Sequence, residues 1–253
     1  MKILHFSMQL ELENYSELAD LKAQFEILRN DSAWGPEQIL KSNADVIELA
    51  PADFLLFKTY LKSLDVKTSR LGTADCLIRL NSDFRPIHLM SDAIYSAILK
   101  SVPDLKTSES AVVIGNFEFV LPMAFKLAQS GFFKLIIATD KISESLKIKK
   151  LIQTYAFNIE VTTVPLNELT QLESGSVLLI SNLQKDIHPE AYESITYFNF
   201  LTRGATFVDV KSRNEPILAE EARRAEINVI EEVDVLRIKY QTILEIFKNS
   251  SLV

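Results

Sequence analysis

The sequence is poor in the residues that most small-molecule chemistry leans on. It has a single cysteine, Cys76, in 253 residues. That excludes an internal disulfide framework and any multi-cysteine zinc site, and it fits a reducing compartment. Three separated histidines, His5, His88 and His188, have no metal-ligand spacing, so no metal site is expected. There are only 6 glycines, where a chain of this length ordinarily has about 7 %. Little material is left for loops that bring backbone close to phosphate. Basic residues are outnumbered, 27 Lys plus Arg against 34 Asp plus Glu for a net charge of −7, which argues against a nucleic-acid partner. No apolar run approaches the ~18 residues of a membrane span. The opening Met1-Lys2-Ile3-Leu4-His5-Phe6 lacks the apolar core of a signal peptide. A soluble, cytoplasmic protein without membrane attachment is the expectation.

What remains is ordinary globular material, 47 % hydrophobic and 24 % charged, long enough for two modest domains. Residues 4–12 alternate apolar and polar with period two, predicting a first strand. Ser16 reads as an N-cap, Phe25–Leu28 and Asp45–Leu49 as short strands, Pro36–Lys41 and Phe54–Leu64 as helices. Cys76–Leu80 and Ile87–Leu89 flank Asn81-Ser82-Asp83 as a hairpin. Ser91-Asp92 opens a helix that ends at Val102-Pro103, and residues 103–110 form a polar hinge.

Beyond the hinge, strands and helices alternate more regularly. Ala111–Ile114, Leu135–Ala138, Ile159–Thr162, Val177–Ile180, Ala205–Val210 and Asn228–Ile230 read as strands; the intervening segments include helices over Glu144–Tyr155 and Glu215–Ala225. Continuous apolar strands separated by helices predict a parallel sheet covered on both faces. A final helix runs from Asp234 to Lys248. The fold class is therefore α/β. A small N-terminal α/β domain (residues 1–100 with 235–253) is followed by a Rossmann-like, doubly wound parallel-sheet domain (101–234), and the C-terminal helix returns to the first domain.

The turn after Ala111–Ile114 is where a dinucleotide fingerprint, G-x-G-x-x-G/A, belongs. It reads Gly115-Asn116-Phe117-Glu118-Phe119-Val120, so only the first glycine is present. Phe117 stands where a side chain must be missing. Glu118 adds a carboxylate at a helix N-terminus, whose dipole would otherwise attract phosphate. Gly115, Asn116 and Asp140 (the acid after the next strand) make a relict cofactor loop, with Phe117 and Glu118 expected to block it. No cofactor is expected; NAD or NADP would be the cofactor if the loop still functions.

The order of elements and several motifs resemble the shikimate dehydrogenases over residues 45–250. Gly72-Thr73-Ala74-Asp75-Cys76-Leu77-Ile78-Arg79 looks like the family's G-A-V-N-T-L-V-R strand, and Met90-Ser91-Asp92 like its N-T-D motif. Val113-Ile114-Gly115 matches the start of V-I-G-x-G-G-x-x-R. Phe207-Val208-Asp209-Val210 with Glu215-Pro216-Ile217-Leu218 resembles D-L-x-Y-x-P-x-x-T-P-L-L, and Val235–Phe247 the closing helix.

The resemblance implies an interdomain cleft lined by Asp53, Asp75, Asp92 and Lys239. Only Asp92 matches a family catalytic residue. Asp53 replaces the lysine of N-V-T-x-P-x-K, Asp75 the substrate-holding asparagine, Lys239 the last helix's glutamine, and Thr139 the arginine of N-R-T. These replacements imply a scaffold without dehydrogenase chemistry, one that binds a protein partner or a small-molecule ligand, with a homodimer as one form such partnering can take. The alternatives are an active NAD(P)-dependent oxidoreductase with an altered substrate, or a binder of another nucleotide. Two further expectations follow from those positions: Asp53, Asp75 and Asp92 either converge on a cation or act as caps, and Lys239 closes an ion pair with Asp92. Lys147, Lys149 and Lys150 read as a solvated helix side, and Cys76 as buried and inert.

Overall fold

A computed structural model describes residues 1–6, 11–28, 34–173, 175–210 and 217–250. The chain divides into two compact units, Met1–Ala93 with Leu236–Val253, and Ile94–Val235.

In the first unit β1 (Lys2–Phe6) is followed by α1 (Glu11–Asn14), a 3₁₀ turn (Ser16–Leu18), α2 (Ala19–Lys22), β2 (Glu26–Leu28), α3 (Pro36–Lys41) and β3 (Val46–Leu49). A second 3₁₀ turn (Pro51–Asp53), α4 (Phe54–Lys58), α5 (Val66–Leu71), β4 (Cys76–Leu80) and β5 (Asp83–Ile87) lead into α6 (Leu89–Ser101). The sheet order is β2-β1-β3-β4-β5, parallel across the first three strands and antiparallel across the last two. The predicted hairpin is present, but its second strand is Asp83–Ile87 and not Ile87–Leu89, because the turn takes only Asn81 and Ser82 and Leu89 already belongs to α6. Asn81 and Ser82 both take positive φ, 50° and 69°, the backbone that a tight two-residue hairpin turn demands.

The first strand departs from its expected alternation. Ile3, Leu4 and His5 are all buried, because β1 lies inside the sheet with both faces covered. Leu12, expected to extend that strand, is buried on α1, while Met8 and Leu10 lie outside the described residues. Ser16 does not cap; its hydroxyl donates to Glu17. The expected helix over Phe54–Leu64 ends at Lys58, and Val66–Leu71 forms a separate helix capped by Asp65 and closed by Gly72 at φ 68°.

The second unit repeats β-α units: β6 (Ser110–Ile114), α7 (Phe117–Gln129), β7 (Lys134–Ala138), α8 (Ile142–Tyr155), β8 (Glu160–Thr163), a 3₁₀ turn (Leu166–Gln171), β9 (Ser176–Ser181), α9 (Pro189–Ile195), β10 (Leu201–Asp209), α10 (Ile217–Arg224) and β11 (Asn228–Glu231), before α11 (Glu232–Ser250). The six strands are parallel, in the order β11-β10-β9-β6-β7-β8. The chain winds outward from β6 to β8, then returns to β9 on the other side of β6. That places the topological switch, where such sheets open a crevice at their carboxyl ends, between β6 and β9.

Val112, Val113 and Ile114 are fully buried, each side chain contributing roughly 1.5–3 kcal/mol by leaving water. Tyr192, Phe198 and Phe200 pack with Phe207 in the core beneath β9 and β10, whereas Tyr197 is exposed. α9 was not anticipated, and β10 begins at Leu201 with a register irregularity before Thr206. Glu215 and Pro216, read as the start of a helix, lie outside the described residues. No described helix is long and apolar enough to cross a membrane.

Candidate functional site

In the first unit, four ionisable side chains meet below the carboxyl ends of β1 and β3. Parallel pairing puts His5 directly beside Glu48, and antiparallel pairing puts Glu48 beside Cys76. His5 Nδ1 stands 2.9 Å from Glu48 Oε2, which also accepts the Tyr240 hydroxyl at 3.1 Å. Lys239 Nζ lies 2.6 Å from Glu48 Oε1. Glu48 is 1 % exposed and Lys239 4 %. Burial pushes the Glu48 carboxyl up, but Lys239, then His5, outweigh it and hold it at about 2. The imidazole's other nitrogen, Nε2, is buried with no hydrogen-bond partner among the described residues.

Asp75 lies beside this cluster. Its two carboxylate oxygens accept the backbone N–H groups of Leu89 (2.7 Å) and Met90 (2.9 Å), so it caps α6. Burial pushes its carboxyl up to about 6 against the pull of Lys239 and those two donors, and Glu48 adds to the rise. The helix therefore opens at Leu89, earlier than the expected Ser91-Asp92 start.

Of the four residues assigned to the cleft, the structure brings Asp75 and Lys239 together around Glu48. Asp53 ends the 3₁₀ turn before α4, with no capping bond from its side chain. Asp92 Oδ1 stands 3.6 Å from Lys67 Nζ, and the ion pair that Lys239 makes at 2.6 Å is with Glu48, where Asp92 had been expected. Arg79, at the end of the family-like strand, works as scaffold. It donates to the carbonyls of Ser42 and Ala44 at 2.7 and 2.9 Å and stacks over Phe84. An ammonium 2.6 Å from an ionised carboxylate is that carboxylate's counter-ion, not a base. Cys76 is buried, and burial with Glu48 and Asp75 raises its thiol far above the usual range.

In the second unit two asparagines meet at the switch between β6 and β9. Ile114 pairs with Ser181, so the residues that follow them, Gly115 and Asn182, stand side by side. Gly115 has φ 143°, and a Cβ built on it would lie 1.6 Å from Asn182 Oδ1. Asn116 N donates to that same oxygen at 3.3 Å, and Asn182 Nδ2 donates to Asn116 Oδ1 at 3.4 Å. Asn116 Oδ1 also accepts Phe119 N at 3.0 Å, capping α7, with Glu118 in its first turn. Phe117 and Glu118 had been expected to block this loop; the atoms nearest a Cβ built on Gly115 belong to a third residue, Asn182. Capping by Asn116 makes Phe117 and Glu118 the first two helical residues, both half-buried. A diphosphate needs that space and those N–H groups, and the residues present do not fit it in this arrangement.

Thr139 is buried, donating to the Lys141 carbonyl at 2.8 Å and sharing a hydrogen bond with Ser145. Asp140 Oδ1 stands 3.2 Å from His188 Nε2 at a cavity of about 590 Å³, walled by Ile142, Pro165, Leu166, Ile187 and Pro189. Among the described residues no group of three or more His, Cys, Asp or Glu side chains is placed to hold a metal ion.

Sequence reasoning missed Glu48, His5, Lys67 and Asn182 as site residues. Glu48 and His5 had one usable signal, a polar residue set between apolar neighbours in a strand.

An α/β unit built on a mixed sheet and a doubly wound parallel-sheet unit are the two parts of the shikimate/quinate dehydrogenase fold. The chain superposes on quinate dehydrogenase from Corynebacterium glutamicum in complex with NAD with a TM-score of 0.77 and 14 % identity, over 98 % of this chain and 93 % of that one. Shikimate 5-dehydrogenase from Listeria monocytogenes, in complex with shikimate and NAD, gives 0.74 and 12 %, over 98 % and 91 %. The ligand-free 5-ketofructose reductase of Gluconobacter sp. strain CHM43 gives 0.73 and 14 %, over 97 % and 91 %. Likeness at these identities is likeness of fold. No protein-family model and no curated protein matches the sequence.

Proposed function

We propose that this chain keeps the shikimate/quinate dehydrogenase fold without the reaction, and acts by binding a protein partner or a small ligand. The observation that carries the reading is the Asn182 amide beside Gly115, with Asn116 capping the helix that should receive a diphosphate. Fold alone does not assign chemistry. Here the catalytic group types are also altered. Asp53 stands where the family has its lysine, and the one lysine of the buried cluster is committed to Glu48. Hydride abstraction from a secondary alcohol needs a group that takes the hydroxyl proton within hydrogen-bond reach. An ion-paired Lys239 does not supply one.

The competing reading is an active NAD(P)-dependent oxidoreductase of altered substrate. It is favoured by Asp140, which follows β7 beside the 590 Å³ cavity, in the place where an acid would hold ribose hydroxyls. A nucleotide without a diphosphate bridge would use the same cavity.

A thermal-shift panel of NAD, NADP, adenosine, adenosine monophosphate and shikimate separates the three, since a ligand of the native state raises the melting temperature by mass action. The binding reading expects no shift with NAD or NADP. A shift with either, together with shikimate-dependent reduction of the coenzyme, would establish the oxidoreductase. A shift with adenosine or its monophosphate alone would establish the nucleotide reading.

A further inference from the structure

We propose that the face around Phe157 is where two copies of this chain meet, each seating Phe157 in the other's groove. Phe157 lies in the turn between α8 and β8 and is 95 % exposed. Asn158 holds that turn with φ 54°. A phenylalanine buries roughly 150–250 Å² when it finds a site, and this one leaves nearly all of its surface in water. Beside it is a groove of about 650 Å³, lined by Phe133, Lys134, Gln153, Ala156, Phe157 and Glu160. Phe133 is itself exposed. β8 is the outermost strand of its sheet among the described residues, so this corner ends on an open edge.

Two features choose a second copy as the occupant. The knob and the groove share one face, which is what a two-fold, self-complementary interface requires; a foreign partner needs only one of them. The groove's charged lining is one cation and one anion, Lys134 and Glu160, neighbours in the β7–β8 register. A two-fold axis passing between them sets Lys134 against Glu160 of the second copy twice. A nucleic acid or an anionic membrane would demand several cations here, and the chain as a whole carries −7. Few large apolar groups contribute, so the dimer belongs to the weak, concentration-dependent class.

Sedimentation velocity on the full chain across the micromolar range tests this. The expected weight-average mass rises with concentration from 28.7 kDa toward twice that value and no further. Phe157→Asp holds the chain monomeric with an unchanged circular dichroism spectrum. Lys134→Glu and Glu160→Lys each weaken self-association at least tenfold, and an equimolar mixture of the two restores a dimer, because every cross-axis contact in the mixed species pairs opposite charges. A wild-type chain that stays monomeric, or one that grows beyond a dimer, overturns the proposal. So does a dimer indifferent to Phe157→Asp, or a mixture that associates no better than its components.

Discussion

Replacing Glu48 with glutamine removes the counter-charge of Lys239 while preserving shape and an acceptor for the Tyr240 hydroxyl and His5 Nδ1. Glu48 is 1 % exposed and Lys239 4 %, so solvent cannot take over the lost pairing. Removing one partner of a pair buried to this degree costs about 3–5 kcal/mol, a large share of the 5–15 kcal/mol that a typical protein has. Lys239→Met leaves the Glu48 carboxylate buried and costs a similar amount. The double variant Glu48→Gln/Lys239→Met removes both charges and keeps the acceptor, so it returns to within about 1–2 kcal/mol of the parent. The assay is urea unfolding followed by the fluorescence of Trp34, the chain's single tryptophan, which lies in the first unit with the pair. With a urea slope of ~2–3 kcal/mol per molar, each single variant lowers the midpoint by ~1–2 M and the double variant recovers most of it. A loss below about 1 kcal/mol in both single variants would mean that the pair behaves as a solvated surface bridge. A double variant no better than the singles would mean that the cluster matters for shape and not for charge. Either result refutes the reasoning.

Further expectations concern pH, the loop and the thiol. Burial, with Lys67 nearby, pushes the His88 imidazole down to about 4, so the unfolded chain takes up a proton near 6.5 while the native chain does not until about 4. His88 thus costs up to about 3 kcal/mol of stability as pH falls through that window, and His88→Phe should flatten the urea midpoint between pH 6.5 and 4. Asp75, raised to about 6, acts in the opposite sense: the native state binds its proton first, so Asp75→Asn removes a contribution that grows in the native state's favour as pH falls from 6 toward 3.8. Asn182→Gly frees the space beside Gly115 at the loss of two long hydrogen bonds. If that amide is the main obstacle, isothermal titration should show a measurable NAD isotherm for Asn182→Gly where the parent chain gives none. Cys76 should stay silent to a thiol reagent in the native chain and react fully in urea.

The second unit was the more legible half. Ala111–Ile114 and Val177–Ile180 are continuous apolar runs, and such runs have few alternatives to a doubly covered parallel strand. The first unit was harder to read because its strands are interrupted by the residues that became the site. His5 and Glu48 looked like the polar phase of an alternating strand, yet both point into a buried cluster that exists only once β1, β3 and α11 are assembled. Asp75 had been read as either a cation ligand or a helix cap, and two backbone donors decide for the cap. Asn182 was invisible for a different reason. Its place beside Gly115 follows from the pairing of β6 with β9, a contact between residues 66 apart in sequence, and no local pattern encodes it.

Isothermal titration of NAD and of NADP into the unmodified chain is the direct test of the claim that this fold has lost its diphosphate cradle. The account predicts no measurable heat of binding from either coenzyme up to millimolar concentration. A saturable isotherm with one coenzyme per chain would contradict it.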